Sequence, residues 1–162
     1  MSTREFAFSS EFFISSYDDF KALEGSEIGV SDWYQIDQNQ INIFADATHD
    51  HQWIHTNVER AKDEMPDSKT IAHGYLTLSM TPAMTAQFVQ FTNLERAINY
   101  GVNKVRFMNM VPVDSRVRAR TEIIKVRQRA GAIQVTAQTT VEIENRDKPA
   151  CVAETVSFYY LK

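Results

Sequence analysis

The sequence has 162 residues, of which 43% are hydrophobic and 23% are charged, and it contains five glycines and four prolines. This length and composition fit one domain, residues 1–162, with a core of its own, and they argue against a disordered, fibrous or membrane chain. The net charge of −4 argues against nucleic-acid binding, which usually needs a basic domain.

The first thirty residues show a weak helical spacing of apolar side chains that stops near Gly25. This spacing predicts a covering helix within residues 1–30, preceded by a loose terminus. The N-terminus lacks a long apolar run, and the apolar stretch 75–91 is interrupted by polar residues, so we expect no export signal and no membrane span. The single cysteine, Cys151, cannot form an internal disulfide and fits a reducing compartment, so we expect a cytoplasmic protein.

A helix is predicted to lead into the most polar segment of the chain. Residues 33–36 read as a short strand, after which Asp37 and Gln40 resemble a capping box. The helix that this box opens has apolar residues on one face and runs as far as Asp50.

Two further helices are predicted after that segment. Thr56 with Glu59 resembles a second capping box, which would place His55 immediately before a helix N-terminus. A polar loop is expected over residues 63–69. Residues 74 to about 90 are apolar nearly all round, which indicates a long central helix that is buried on most faces.

The C-terminal half alternates between apolar and polar residues. The alternation slips at Ile123-Ile124, as at a β-bulge, and then continues unbroken over residues 133–143 after a turn at Ala130-Gly131. A turn at 145–149 precedes the last strand. A buried helix followed by long antiparallel strands predicts an α+β architecture in which the sheet wraps around the helix.

Eight lysines and arginines lie between positions 104 and 129 and form a basic stripe on an acidic protein. A solvated strand face is the simplest interpretation of this stripe. The alternative is contact with a small polyanion, although exposed single ion pairs contribute little to binding.

Three of the four histidines, His49, His51 and His55, lie within five residues of Asp50, and the fourth, His73, follows the polar loop. A carboxylate and an imidazole a few residues apart can act as an acid/base pair on one water, since both exchange protons near neutral pH. Two alternatives stay open on spacing alone. His49, Asp50, His51 and His55 could be metal ligands, although a regular zinc spacing is absent, or these groups could only cap helices and hydrogen-bond in the core.

Two segments resemble a known family. The run Phe44-Ala45-Asp46-Ala47-Thr48-His49-Asp50-His51-Gln52-Trp53-Ile54-His55, followed by Thr70-Ile71-Ala72-His73-Gly74, is similar to the MaoC-like dehydratases, in particular the NodN-like branch of (R)-specific enoyl-CoA hydratases. The resemblance implies a hot-dog fold, an antiparallel sheet wrapped around a long central helix.

The resemblance also implies roles for individual residues. Asp50 and His55 match the family's Asp-x-x-x-x-His motif and would be the catalytic pair. The Gly74 N–H would bind the thioester oxygen, a role that suits the free N–H groups of a helix N-terminus. The other oxyanion or substrate-binding candidates are His73, Trp53, Tyr75, Asn103 and Arg106.

By the same resemblance, the protein would be a homodimeric enzyme that hydrates enoyl-CoA or an enoyl acyl-carrier thioester and needs no metal or other cofactor. A hot-dog thioesterase and a non-catalytic acyl-thioester binding module are the alternatives. Two departures from the family pattern concern the site. His49 stands where relatives usually carry glycine, and residues 65–69 replace a glycine-rich stretch.

Overall fold

The computed structural model describes residues 12–162, and the loose terminus predicted for the start of the chain lies outside them. The described N-terminal part forms strand β1 (Phe12–Ile14), helix α1 (Tyr17–Lys21) and strand β2 (Glu27–Val30). The prediction of a covering helix is therefore wrong for most of this part, because only five residues are helical. Ser16 caps α1 in an extended conformation, which separates the helix from the strand before it.

Strand β3 (Tyr34–Gln35) and helix α2 (Gln38–Thr48) come next. The predicted capping box is confirmed. The Asp37 carboxylate accepts a hydrogen bond from the Gln40 amide at 2.8 Å, and the Gln40 side chain accepts one from the Asp37 amide at 3.1 Å. The box thereby satisfies two main-chain N–H groups at the start of α2.

Two short helices, α3 (Trp53–Thr56) and α4 (Val58–Glu64), follow this segment. The second predicted capping box is wrong, because Asn57 and not Thr56 caps α4. Thr56 is already the last residue of α3, and its hydroxyl bonds back to carbonyls of the preceding turn. His55 therefore lies inside α3 rather than just before α4.

Helix α5 (Gly74–Thr85) is the central helix and is shorter than predicted. It ends early because residues 89–91 form strand β4 (Val89–Phe91), which pairs in parallel with β1. In the described part of the chain, no helix is both long and apolar enough to cross a bilayer. The buried residues of α5 are Leu76, Thr77, Thr81 and Met84.

The main sheet is built from four long strands, β5 (Leu94–Phe107), β6 (Arg116–Arg129), β7 (Ala132–Ile143) and β8 (Cys151–Leu161). Its order is β2-β6-β7-β8-β5, all neighbours are antiparallel, and β3 also pairs with β6. Helix α5 packs on β6, β7 and β8. The predicted α+β architecture, a central helix covered by an antiparallel sheet, is confirmed.

The predicted bulge in β6 and the predicted turn before β7 are confirmed. The register of β6 against β7 shifts between Ile123 and Lys125, where the alternation slips, and Gly131 turns the hairpin with a φ of 71°. Strand β5 was not predicted before Gly101, because nearly all of its side chains are exposed and the apolar alternation is weak. One core cluster lies around α2 and α5, and a second lies beneath α1.

Candidate active site

A left-handed residue places Asp50 at the end of α2. His49 is the C-cap of the helix and has φ 60° and ψ 19°, a conformation that glycine adopts more easily than other residues. The chain reverses there, so the exposed Asp50 carboxylate sits clear of the helix and near the Gln52 amide, at 3.4 Å. His49 thus adopts a turn conformation that glycine would favour.

His55 is buried, with 7% of its surface exposed, and its ring is held by a main-chain group. Nδ1 lies 2.7 Å from the Ile71 carbonyl oxygen. Because a carbonyl can only accept, Nδ1 must carry the proton, and a neutral His55 leaves Nε2 with a free lone pair. Burial lowers the pKa of His55 below its ordinary value of 6.5, with a smaller opposing effect from the Ile71 hydrogen bond. His55 is thereby a neutral base near pH 7.

His73 joins the two members of the predicted pair. Its ring stacks on that of His55, with centroids 3.7 Å apart and planes inclined by 26°, and its Nε2 donates to the Asp50 carbonyl oxygen at 3.0 Å. Nδ1 of His73 is buried and has no hydrogen-bond partner among residues 12–162. A nitrogen of each ring and a carboxylate oxygen of Asp50 lie within 4.8 Å of one another.

Two histidines and a carboxylate are also a possible metal-ligand set. A metal ion lies near the plane of each imidazole that binds it, about 2.0–2.1 Å from the nitrogen. Two rings stacked nearly parallel cannot both direct a lone pair at one ion at that distance, so His55 and His73 fit poorly as joint ligands. Of the other candidates, His51 faces Asp46 at the surface, at 3.7 Å, and His49 is exposed.

Gly74 begins α5 beside this cluster, with His73 as its N-cap. Its N–H belongs to the first turn and has no acceptor within the helix. A Cβ built on Gly74 would lie 2.9 Å from the Phe107 ring, so glycine is what lets the aromatic ring pack directly on the helix start. The arrangement offers an N–H donor and the positive end of the helix dipole next to the Asp50-His55 pair.

The other predicted substrate-binding residues contact side chains outside the Asp50-His55-His73 cluster. Trp53 is half-buried and stacks under the Arg60 guanidinium at 4.0 Å, and Tyr75 is 67% exposed and meets Phe107 edge-on. The Asn103 amide donates to Glu154 on the neighbouring strand.

Arg106 is exposed on β5 and donates to the carbonyl of its neighbour Val105. Within the described residues, no hydrogen bond or ion pair connects Asn103 or Arg106 with Asp50, His55 or Gly74. Their role in substrate binding stays a prediction.

Three of the eight basic residues of the stripe form ion pairs. Arg116 pairs with Glu144, and Arg118 and Arg120 both pair with Glu142. These arginines therefore belong to a charge-paired strand face, as the simplest interpretation of the stripe expected.

Two residues that hold His55 in place were missed in the sequence. Gln38 donates to the His55 main-chain carbonyl at 2.7 Å, and Gln38 Oε1 accepts from the buried Thr70 hydroxyl. In the sequence, Gln38 was only the first residue of a helix and Thr70 only the start of a motif. No local pattern connects two polar residues that are 32 positions apart.

Several known proteins are similar to this chain over most of its length. Residues 19–145 match the family described as the MaoC like domain. The 3-hydroxyacyl-thioester dehydratase Z of Mycobacterium tuberculosis is 49% identical over 142 residues, which cover 87% of this chain and 93% of that protein. Nodulation protein N of Rhizobium meliloti is 44% identical over 144 residues, covering 88% and 89% respectively.

A solved structure supports the fold independently. The monoamine oxidase regulatory protein from Archaeoglobus fulgius superposes with a TM-score of 0.76 over 94% of this chain and 99% of that chain, at 22% identity. At that identity the similarity concerns the fold alone, and the predicted hot-dog fold is confirmed.

Proposed function

The chain belongs to the MaoC-like family, and from this premise we propose that it is a lyase that adds water reversibly to a trans-2-enoyl thioester. The product is an (R)-3-hydroxyacyl thioester, and dehydration is the reverse reaction. The acyl group is carried on CoA or on an acyl-carrier protein, as in fatty acid metabolism.

One observation carries the proposal. One atom each of the Asp50 carboxylate and of the His55 and His73 rings lie within 4.8 Å of one another, and His73 is the N-cap of α5, so the Gly74 N–H follows it directly in the chain. Hydration of an enoyl thioester needs a base for water and a donor for the thioester oxygen, and these two requirements are met by adjacent groups.

The pair acts on one water molecule. Asp50 and the free Nε2 of neutral His55 both accept hydrogen bonds, so they can hold the two hydrogens of a water whose oxygen faces C3 of the substrate. As the C3–O bond forms, one O–H bond breaks and the pair takes up the proton. A proton is then returned from the pair to C2. Both transfers occur on one face of the double bond, which gives syn addition.

Gly74 stabilises the charge that builds up during the attack. Negative charge moves to the thioester oxygen as the enolate forms, and the Gly74 N–H is a fixed donor at the positive end of α5. Removal of one such donor typically costs about 2.7–4 kcal/mol of barrier. Tyr75 and Phe107, exposed beside this helix start, form an apolar wall for the acyl chain.

The reaction proposed here uses no metal or other cofactor. The nearly parallel stacking of His55 and His73 supports this, because it leaves the two rings unsuited to a shared ion. The water is activated by proton acceptors alone.

We further propose a homodimer that forms along β5. This strand lies at the end of the sheet and pairs only with β8 among the described strands. Its exposed side chains include Ile98, Tyr100 and Val102, which are 43%, 71% and 46% exposed. A long exposed edge strand that carries apolar side chains favours pairing with another chain, and a second copy offers the same edge in antiparallel orientation.

Incubation with crotonyl-CoA tests the function. We expect the enoyl absorbance to fall without thiol release, and the product to be the (R)-3-hydroxy ester on chiral analysis. Release of free thiol would identify a thioesterase, and binding without either change would identify a non-catalytic module. A parallel assay with crotonyl-acyl-carrier protein distinguishes the carriers. The cytoplasmic location stays a prediction.

A further inference from the structure

The side-chain amide of Gln38 connects the three segments that form the site. Gln38 is the first residue of α2, the helix that leads to Asp50. Its Nε2 donates to the His55 carbonyl at 2.7 Å, and its Oε1 accepts from the Thr70 hydroxyl. Thr70 immediately precedes Ile71, whose carbonyl holds the His55 ring.

The orientation of the Gln38 amide follows from its partners. The His55 carbonyl only accepts, so the amide must present its NH₂ group there and its oxygen to the Thr70 hydroxyl. The second Nε2 hydrogen goes to Asn42 Oδ1 at 2.9 Å, one helical turn away. Three hydrogen bonds thus fix the amide in a single orientation.

Helix capping does not account for these contacts. The start of α2 is already satisfied by the Asp37-Gln40 capping box, which leaves the Gln38 side chain free for contacts outside the helix. Thr70 is 1% exposed, so its hydroxyl depends on Gln38 for an acceptor. The contacts therefore hold the start of α2, helix α3 and residues 70–71 together.

We propose that Gln38, supported by Thr70, is a positioning residue for His55 in the hydration reaction. The inference rests on the proposed function. The His55 ring is anchored by Ile71 O and its backbone by Gln38, so the two anchors together determine where Nε2 points. Asp50 reaches the site from the opposite end of α2, which makes Gln38 the link that sets His55 relative to Asp50.

Matched variants test this role through kcat. Gln38→Leu keeps the volume but loses all three hydrogen bonds, and a misplacement of about 1 Å costs about 10²-fold in rate. We expect kcat to fall by about that factor while KM stays near wild type, because no substrate contact is lost. Thr70→Val should lose part of this rate and Thr70→Ser should restore it. Gln40→Ala, which breaks only the capping box, is the control and should lower stability but not kcat.

A readout that does not depend on activity separates this inference from the proposed function. The ¹⁵N spectrum of the His55 ring should show a single Nδ1-protonated tautomer in the wild type and a mixture in Gln38→Leu. If the wild type hydrates no enoyl thioester, the proposed function fails but this spectrum still decides the positioning role. An unchanged His55 spectrum in Gln38→Leu, or a kcat equal to that of Gln40→Ala, overturns the inference.

Discussion

The imidazole of His73 stacks on that of His55 at 3.7 Å, and the two rings have different hydrogen-bond partners. His55 donates from Nδ1 to Ile71, whereas His73 donates from Nε2 to the Asp50 carbonyl. Burial is the main cause of the low pKa of His55. The nearby His73 ring lowers this pKa further, because two positive charges so close together would repel each other. His73 thereby helps keep the His55 imidazole neutral.

Loss of either member of the Asp50-His55 pair should abolish most of the activity. Asp50→Asn removes the carboxylate base and His55→Gln removes the imidazole, while both keep a polar side chain. Because the two groups act on one water, the double variant should be little slower than either single variant. Initial rates with crotonyl-CoA measure this, and multiplicative losses would indicate independent roles.

Stability must be measured on the same variants. A hydrogen bond to a charged group contributes about 1.5–3 kcal/mol, so a purely structural pair would lower activity by unfolding the domain. We expect urea midpoints near wild type for Asp50→Asn. Loss of activity in step with unfolding would favour the binding-module alternative.

The pH dependence of activity should reflect the neutral form of His55. Its folded pKa lies below 6.5, so kcat/KM should be retained as the pH falls through 6.5 and should be lost only at more acidic pH. The sensitive measurement is the acid limb of the kcat/KM profile. An acid limb centred above 6.5 would contradict a neutral, buried His55.

Stability should depend on pH through the same group. Below 6.5 the unfolded chain binds a proton at His55 before the folded state does, so the free energy of unfolding should decrease as the pH falls, until the folded pKa is passed. The comparison of urea unfolding for wild type and His55→Gln above and below pH 6.5 isolates this contribution. Equal pH slopes for both proteins would show that His55 does not contribute.

Activity should not depend on a bound metal. Elemental analysis of the purified protein should find no stoichiometric zinc, and incubation with a chelator should leave the hydration rate unchanged. A tightly bound equivalent of zinc whose removal abolishes turnover would refute the metal-free mechanism and would require the stacked rings to move apart.

Replacement of His49 by glycine should stabilise the protein. His49 has a positive φ of 60°, and a left-handed conformation costs a non-glycine residue about 1–2 kcal/mol. We expect His49→Gly to raise the free energy of unfolding by about 1 kcal/mol and to keep activity. Ala47→Gly, within the same helix, should instead lower it by about 0.5–1 kcal/mol. Unfolding curves in urea compare the two, and an equal loss in both would rule out strain at His49.

The assembly should depend on the exposed face of β5. Sedimentation of the wild type should report a dimer, and Tyr100→Glu together with Val102→Lys should produce monomers, since charges on an edge strand oppose pairing. Ile124→Lys, on an exposed position of β6, is the control and should stay dimeric. A fully active wild-type monomer at micromolar concentration would exclude a role for the interface.

The elements predicted well are those whose signals are local. The Asp37-Gln40 box and the uninterrupted alternation of residues 133–143 each specify one structure from neighbouring residues. The wrong second capping box shows the limit of such signals. Thr56 and Asn57 are both good cap residues, and the choice between them depended on α3 ending at Thr56.

The roles of the site residues were predicted only from the resemblance to a known family. The Asp50 carboxylate lies close to the His55 and His73 rings, but the sequence did not reveal how His55 is held. The two groups that anchor it, the Ile71 carbonyl and the Gln38 amide, are 16 and 17 positions away from it. A main-chain carbonyl has no sequence signature, and contacts at this separation depend on tertiary packing.

Helix α2 sets the separation between Gln38, which holds the His55 backbone, and Asp50. Gln38 stands at its first residue, and the chain leaves its last residue, Thr48, two positions before Asp50. One inserted residue within α2 would turn Asp50 by about 100° around the helix axis and move it by about 1.5 Å, because each residue adds that rotation and rise. The number of residues in α2 is therefore as much a determinant of the chemistry as their identity.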